Sequence, residues 1–505
     1  MKKTFLLLFL ISIVFSACRK DFDLIESEGN LSFSKDTIFL DTIFSNKSSS
    51  TYRLKVYNNS NQNAYIPSIE LGKGLNSFYR LNVDGKSGKI FQNVEIKSKD
   101  SLYIFIEATI DYSKVTNPIY TDSIVFKGNS FIKDVKLVTL VQDAHFLFPS
   151  KNLDGIIETI SLGRDIEGDD IKINGFYLAD NTTWTNTKPY VIYGYCAVPE
   201  NKTLTIEAGA KIHFHSNSGL IVSKNGTLKI NGTLQNKVQI EGDRLEPYFE
   251  NIPGQWGAIW LRAGSKNHEI KNTLIKNGTI GILIDSIGSA VAPTLKIQNT
   301  EIYNHSNYGI LARETNIEGS NLVINNVGFS SLACTMGGTY NFIHCTFANY
   351  WNISLRQFPA VLINNFYTYS EGNKQITVPK NLKQANFSNS IIYGNSRIEL
   401  ILDKVEGADF NFNFENNLIL FDDYNNIYSS KPQYQFNNSS NYSQNIFNLT
   451  PDFKNTKLNQ LIVGKLSSGI QKGNLSKALI IQQDILGVDR TTSPDLGAYQ
   501  HIIFQ

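Results

Sequence analysis

The chain is poor in methionine, proline, cysteine and charge. Only 2 Met and 13 Pro occur in 505 residues, against 55 Asn. Methionine favours helices and asparagine does not, so this balance argues against a helical bundle. Charged residues make up 18% of the chain, below the roughly 25% usual in soluble proteins. The 47 basic and 45 acidic side chains leave a net charge of +2. That excludes a nucleic-acid binder working through a broad cationic face. The 4 cysteines include no C-x-x-C pair, so no zinc pattern is present. There is no G-x-S-x-G, H-E-x-x-H or phosphate loop, and no cofactor or metal is implied. No apolar run is long enough to span a bilayer: residues 5–15 form a run of eleven, where about 20 are needed.

What the sequence does contain points to strands. Tyr and Phe together number 55, and aromatics suit pleated sheets. The length suits two or three domains. We read an all-β protein in two parts. From 30 to 144, strands are expected at 36–44, 51–58, 64–71, 78–83, 89–96, 101–110, 121–127 and 131–142. Tyr52, Leu54 and Val56 alternate with Arg53, Lys55 and Tyr57. That pattern buries one face and wets the other, as in a sandwich. Short strands with turn signals every 8–14 residues predict an immunoglobulin-like β-sandwich. The segment 144–152 lacks alternation and carries a Pro, which places the boundary there.

From 153 to 505 the pattern changes. An anchor of Gly or Asn before an apolar residue recurs at Gly281, Gly309, Gly328 and Asn352. A second register runs through Asn272, Asn299, Asn321, Cys345, Asn389 and Asn416. Repeats of about 20–29 residues signal a solenoid, and strands without helical patterns make it a parallel β-helix. Residues 251–450 hold 32 Asn, against 20 in the first 250. Asn tolerates left-handed backbone at tight corners, and its amides can hydrogen-bond between stacked coils.

Several segments carry resemblances. Residues 1–17 read as a signal peptide: a basic start, the apolar run, then Ser16-Ala17-Cys18, which is similar to the lipobox of bacterial lipoproteins. The resemblance implies cleavage before Cys18, its acylation, and attachment to a membrane by lipid, with 18–29 as a leash. Arg19-Lys20-Asp21-Phe22-Asp23 resembles the surface-export signal of Bacteroidetes lipoproteins, which implies an outer-membrane position facing the cell exterior. The stretch LTIEAGAKIHF at 204–214, GTLKINGT at 226–233 and GQWGAIWL at 254–261 resemble the opening turns of right-handed parallel β-helix proteins of pectate-lyase-like fold. The ending, with Asp484, Gly487 and Arg490 and then Pro494-Asp495-Leu496-Gly497-Ala498-Tyr499, is similar to the closing motif of many exported proteins of that kind. The layout resembles a Bacteroidetes surface lipoprotein family of uncharacterised function. With Cys18 lipidated, Cys196, Cys334 and Cys345 remain. An odd number makes no complete disulfide framework; small buried residues or a Cys334–Cys345 bridge are the readings.

Active-site candidates are few. Aligning on the anchors places Asp285, Arg313, Leu332 and Arg356 in one column. Asp285 and Arg313 can pair there, but calcium needs six to eight converging oxygens, and one acid among two cations and a Leu does not supply them. His213 and His215 share a face without a further ligand beside them. Two longer excursions carry candidate partner-binding residues: Arg244, Tyr248, Phe249 and Trp256 in 243–256, and Phe358, Phe366, Tyr367 and Tyr369 in 358–388. Loops on a rigid scaffold are where binding sits, and aromatics with Arg anchor interfaces. The reading is a non-catalytic scaffold or interaction subunit whose partner is another envelope protein, as in an outer-membrane assembly or transport complex. The alternative is a polysaccharide-binding protein or polysaccharide lyase.

Overall fold

The computed structural model describes residues 24–165, 167–288 and 292–504. The expected signal segment 1–17, the expected lipidation site Cys18 and residues 19–23 of the expected leash lie outside the described residues. The chain is all-β and divides into two compact units between Asp143 and Ala144. Among the described residues no helix is long and apolar enough to cross a membrane.

The first unit holds two sheets. One runs Ile25–Glu26, Ala64–Leu71, Ile119–Lys127, Ile132–Gln142 and Thr37–Phe44, with Ile90–Ile96 also on Ala64–Leu71. The other runs Leu31–Phe33, Tyr52–Asn58, Ser101–Ala108, Tyr79–Val83 and Lys86–Gly88. Alternation does what it should: Leu54, Val56, Ile104 and Ile106 face inward fully buried and share one core with Ile38, Leu40, Ile66 and Phe126 of the other sheet. Residues 25–26 are not part of a free leash as expected for 18–29, because Ile25–Glu26 pairs with Ala64 and Tyr65.

The second unit is dominated by a 27-stranded sheet in which most strands pair in parallel with the strand three places on. This makes three ladders, each adding a strand at every circuit of the chain. The first passes through Tyr195–Val198, Gly219–Val222, Trp256–Leu261 and Gly278–Asp285, then the start of Tyr308–Val327, the start of Leu332–Ile343, Val361–Asn364 and Leu400–Asp403. Its inward column is Cys196, Leu220, Ile259, Ile282, Ile310, Leu332, Val361 and Leu400, none more than 1% exposed. The second ladder stacks Ile270, Ile297, Gly319, Phe342, Phe387 and Phe414. The third stacks Ile240, Ile275, Ile302, Ile324, Phe347 and Ile392. Gly319 is required where it stands, since a Cβ there would lie 2.5 Å from the Phe342 ring.

Asparagine turns the corners. Asn272, Asn299, Asn321, Asn389 and Asn416 sit between the second and third ladders with φ from +46° to +53°, and His344 takes the same slot at +54°. At the next corner Asn326 donates to Asn304 Oδ1 at 2.8 Å, and Asn304 to Asn277 Oδ1 at 3.4 Å.

Three sequence expectations change. The second unit starts before 153: His145–Leu147 pairs with Tyr190–Ile192 and starts the third ladder. The anchor at Gly328 is out of register, because Ile310 pairs with Leu332 and Arg313 with Thr335, so Leu332 is an inward residue. The ladders also end before the C-terminus, at Tyr442–Ser443 and Ile446–Phe447. Residues beyond them lie on the outside of the third ladder, where Leu461, Ile485, Ala498 and Tyr499 cover Tyr303, Val323 and Ala348, and Val463 and Leu496 cover Ile391 and Leu418. The closing motif is the clasp of this cover. Asp484 accepts from the backbone of Leu486, Val488 and Gln500, and Asp495 from Gln471 and His501. Buried Arg490 donates to the carbonyls of Gly497 and Ala498, and burial pulls its pKa down to about 10.

Candidate docking face

The outward columns of the three ladders differ in chemistry. On the second ladder Thr205, Lys229, Glu269, Lys296, Glu318, Asn341, Asn386 and Asn413 follow one another. Lys229 pairs with Glu269 at 2.6 Å and Lys296 with Glu318 at 3.6 Å. This is the wet side an antiparallel-style alternation would give. The third ladder has mixed outward residues, and the C-terminal segment covers them. The first ladder presents Ala197, Ile221, Trp260, Leu283, Leu311, Ala333, Leu362 and Ile401 outward, apolar throughout.

Among the described residues a hairpin covers the start of this apolar column. The antiparallel strands Thr159–Arg164 and Asp170–Tyr177 form a hairpin, and Ile160 packs in one cluster with Ala197 and Ile221, flanked by Leu162, Ile173, Tyr195 and Trp260. Arg262 fastens it by donating from Nη2 to Leu162 O at 2.8 Å and from Nη1 to Ser161 O at 3.3 Å. Where the hairpin ends, a cleft of about 570 Å³ opens between Ile173, Tyr195, Trp260, Ile280 and Leu283. Beyond it Leu283, Leu311, Leu362 and Ile401 are half-buried, with Ala333 buried among them. A second apolar line runs beside the column. Ala258, Ile280 and Tyr308 are in register, Tyr308 meets Phe329 at 5.3 Å, and Phe329 meets Phe358 at 5.2 Å.

The charged residues border this face. Asp285 and Arg313 are register partners and form an ion pair, with Arg313 Nε donating to Asp285 Oδ1 at 2.7 Å. Trp260 Nε1 donates to the other oxygen at 2.6 Å, so both carboxylate oxygens are engaged. Arg356 is not in this column. It is buried with Glu399, donating from Nη1 to Oε2 at 2.8 Å and to Phe358 O at 2.7 Å. Glu399 also accepts from the backbone of Ala360 and Ser396. This pair fixes the loop that carries Phe358; burial nevertheless raises the Glu399 pKa.

The other expected site residues separate into core and surface. Trp256 is 1% exposed, stacks on Phe214 at 4.9 Å and donates to Lys276 O; it is a core residue and not a partner contact. The bulge between Ala258 and Ile259 leaves Trp260 as the outward tryptophan. Arg244 pairs with Glu246 and lies 3.8 Å from the Phe249 ring. Tyr248 is 76% exposed beside it. Phe366, Tyr367 and Tyr369 belong to a hairpin of Phe366–Glu371 and Lys374–Pro379, which accounts for the long excursion; Phe366 and Tyr367 are half-buried and Tyr369 is exposed. His213 is buried, facing Gly242 O at 3.1 Å, and burial lowers its pKa. His215 pairs with Asp243 at 2.7 Å. Among the described residues no group of three or more His, Cys, Asp or Glu is placed to hold a metal ion. Cys196, Cys334 and Cys345 are buried free thiols without the Cys334–Cys345 bridge, and burial pushes the Cys345 pKa up to about 12.

No family model matches the chain, and no curated protein matches it. Among solved structures, a family 123 glycoside hydrolase from Clostridium perfringens aligns at 9% identity and TM-score 0.17, covering 23% of this chain and 30% of that one. A protein of unknown function from Porphyromonas gingivalis W83 aligns at 14% identity and TM-score 0.17, covering 26% of this chain and 62% of that one. Likeness at this level carries no argument about either unit.

Proposed function

We propose that the protein is an outer-membrane lipoprotein displayed at the cell exterior, where it acts as a non-catalytic docking subunit for another envelope protein. In this reading Cys18 carries the lipid. The first unit is an immunoglobulin-like sandwich, and the second is a right-handed parallel β-helix serving as a rigid scaffold. The observation that carries the docking claim is the apolar outward column from Leu283 to Ile401. Contiguous apolar surface beyond what a monomer needs marks a contact site, and the neighbouring ladder shows that the same coils can present a fully polar exterior. The Asp285–Arg313 pair lends nothing to the polysaccharide-lyase alternative, because each group is spent on its neighbour and a single acid cannot hold calcium.

Affinity isolation of the tagged full-length chain from gently solubilised membranes tests the proposal. A stoichiometric second envelope protein is expected; recovery of the chain alone contradicts it.

A further inference from the structure

We propose that His344 is a pH-sensitive fastening of the C-terminal segment: a second proton on its imidazole turns the Asn389 amide off the backbone of Asn474 and loosens residues 474–499 from the exterior of the third ladder. The inference stands apart from the docking reading.

The corner column holds that segment in place. Asn321 donates to Gln483 O at 2.9 Å, Asn389 to Asn474 O at 2.9 Å and Asn416 to Lys472 O at 2.8 Å. His344 stands between Asn321 and Asn389 in the same left-handed slot, and it is the one titratable side chain among the six corner residues. Asn389 carries the most contacts. Its buried amide grips Asn474 as a neighbouring peptide would, accepting from Asn474 N at 2.7 Å while donating to Asn474 O. Its own carbonyl accepts from Gly497 N at 2.7 Å. One residue therefore fastens the segment near both ends.

This grip fixes which way the Asn389 amide points, and the amide fixes the state of His344. Asn389 Nδ2 donates to His344 Nε2 at 2.9 Å, so Nε2 accepts and the ring proton sits on Nδ1. A second proton belongs on Nε2, where it meets a donor. Turning the amide over relieves that clash but sets its oxygen against Asn474 O and its NH2 against Asn474 N–H. Both bonds to the segment are then lost.

The surroundings offer the imidazolium no compensation. Arg490 is a buried cation facing the ring. Asp484 and Asp495 already accept from the backbone, and Asp495 also pairs with His501 at 2.7 Å. Glu415 accepts from Asn474 Nδ2 at 2.7 Å and lies 3.7 Å from Lys477. Cys345 beside the ring is a buried free thiol. Burial, and then Arg490, hold the His344 pKa well below the usual value. Once the segment lifts, the ring titrates near 6.5, so opening takes up a proton and becomes easier as pH falls below that value. Opening uncovers Tyr303, Val323 and Ala348, on which Ile485, Ala498 and Tyr499 rest.

Hydrogen exchange of the full-length chain, read by mass spectrometry at pH 7.5 and 5.5 and normalised to the intrinsic exchange rate, tests this. Protection of peptides within 474–499 should fall about tenfold, the effect of one linked proton, while Gly219–Val222 stays protected over the same hours. His344→Asn, which restores the column's own residue, should abolish the fall, and His501→Gln should leave it intact. Unchanged protection of 474–499 in the unaltered chain overturns the inference without any variant. So does an equal loss at 219–222, which means global unfolding, or a fall that persists in His344→Asn or vanishes in His501→Gln.

Discussion

Buried histidines govern how this protein meets acid. His213, His268, His305 and His344 are each no more than 3% exposed. Burial lowers all four pKa values, to about 3 for His268 and about 4 for His305. An unfolded histidine titrates near 6.5. Below that value the unfolded chain takes up protons that the folded chain refuses, so stability is full above about pH 6.5 and falls as pH drops. A histidine that stays neutral when folded contributes a slope of at most about 1.4 kcal/mol per pH unit. Glu399, whose folded pKa is raised by burial, opposes this as a single group. Urea unfolding should therefore show a steep loss of stability between pH 7 and 5. His344 occupies the asparagine corner register, so His344→Asn should flatten that slope by about one proton whatever it does to absolute stability; an unchanged slope would refute its role. At the Arg356–Glu399 pair, Arg356→Met strands a buried carboxylate and should cost about 3–5 kcal/mol, and adding Glu399→Gln should restore part of it in the same denaturant titration.

At the scale of the element, the two tryptophans of one strand should behave oppositely. Trp256→Ala empties a core site and should destabilise by about 3–5 kcal/mol. Trp260→Ala should cost markedly less stability but weaken partner recovery, and calorimetry beside co-isolation separates the two. By sequence Trp256 is an aromatic of the 243–256 excursion, whereas it opens the strand Trp256–Leu261 and points inward; the bulge at Ala258/Ile259, which leaves Trp260 outward, has no mark in composition. Much else was legible. The strands of the first unit fall where the turn signals put them, for example Thr37–Phe44 and Ile90–Ile96, and the corner asparagines do adopt left-handed backbone. The apolar exterior of the first ladder also had a local signal. Runs such as GLIV at 219–222, GILI at 281–284 and VLI at 361–363 are continuously apolar, whereas TLKIN at 227–231 and HEIK at 268–271 alternate. Continuous runs mean apolar residues on both faces of a strand. What remained illegible was long-range: which apolar exteriors the chain covers itself, here with the 159–177 hairpin and the C-terminal segment. Truncation after residue 452 should expose Tyr303, Val323 and Ile391 and yield a protein that aggregates on size-exclusion chromatography where the full chain elutes as one species.

At the scale of the whole molecule, the proposed lipid attachment and the proposed docking are separable. Cys18→Ala should release the chain from the membrane fraction without altering its unfolding transition, as read by fractionation and circular dichroism. The central claim is that one exterior of the second unit holds a partner while another stays wet. Paired charge insertions test it most directly: Leu311→Lys on the apolar column and Asn341→Lys on the polar one, each compared with the unaltered chain by quantitative co-isolation from membranes. The account predicts that Leu311→Lys loses the partner by about tenfold or more, the scale of a disrupted hot spot, while Asn341→Lys retains it. Equal recovery from both variants would contradict it.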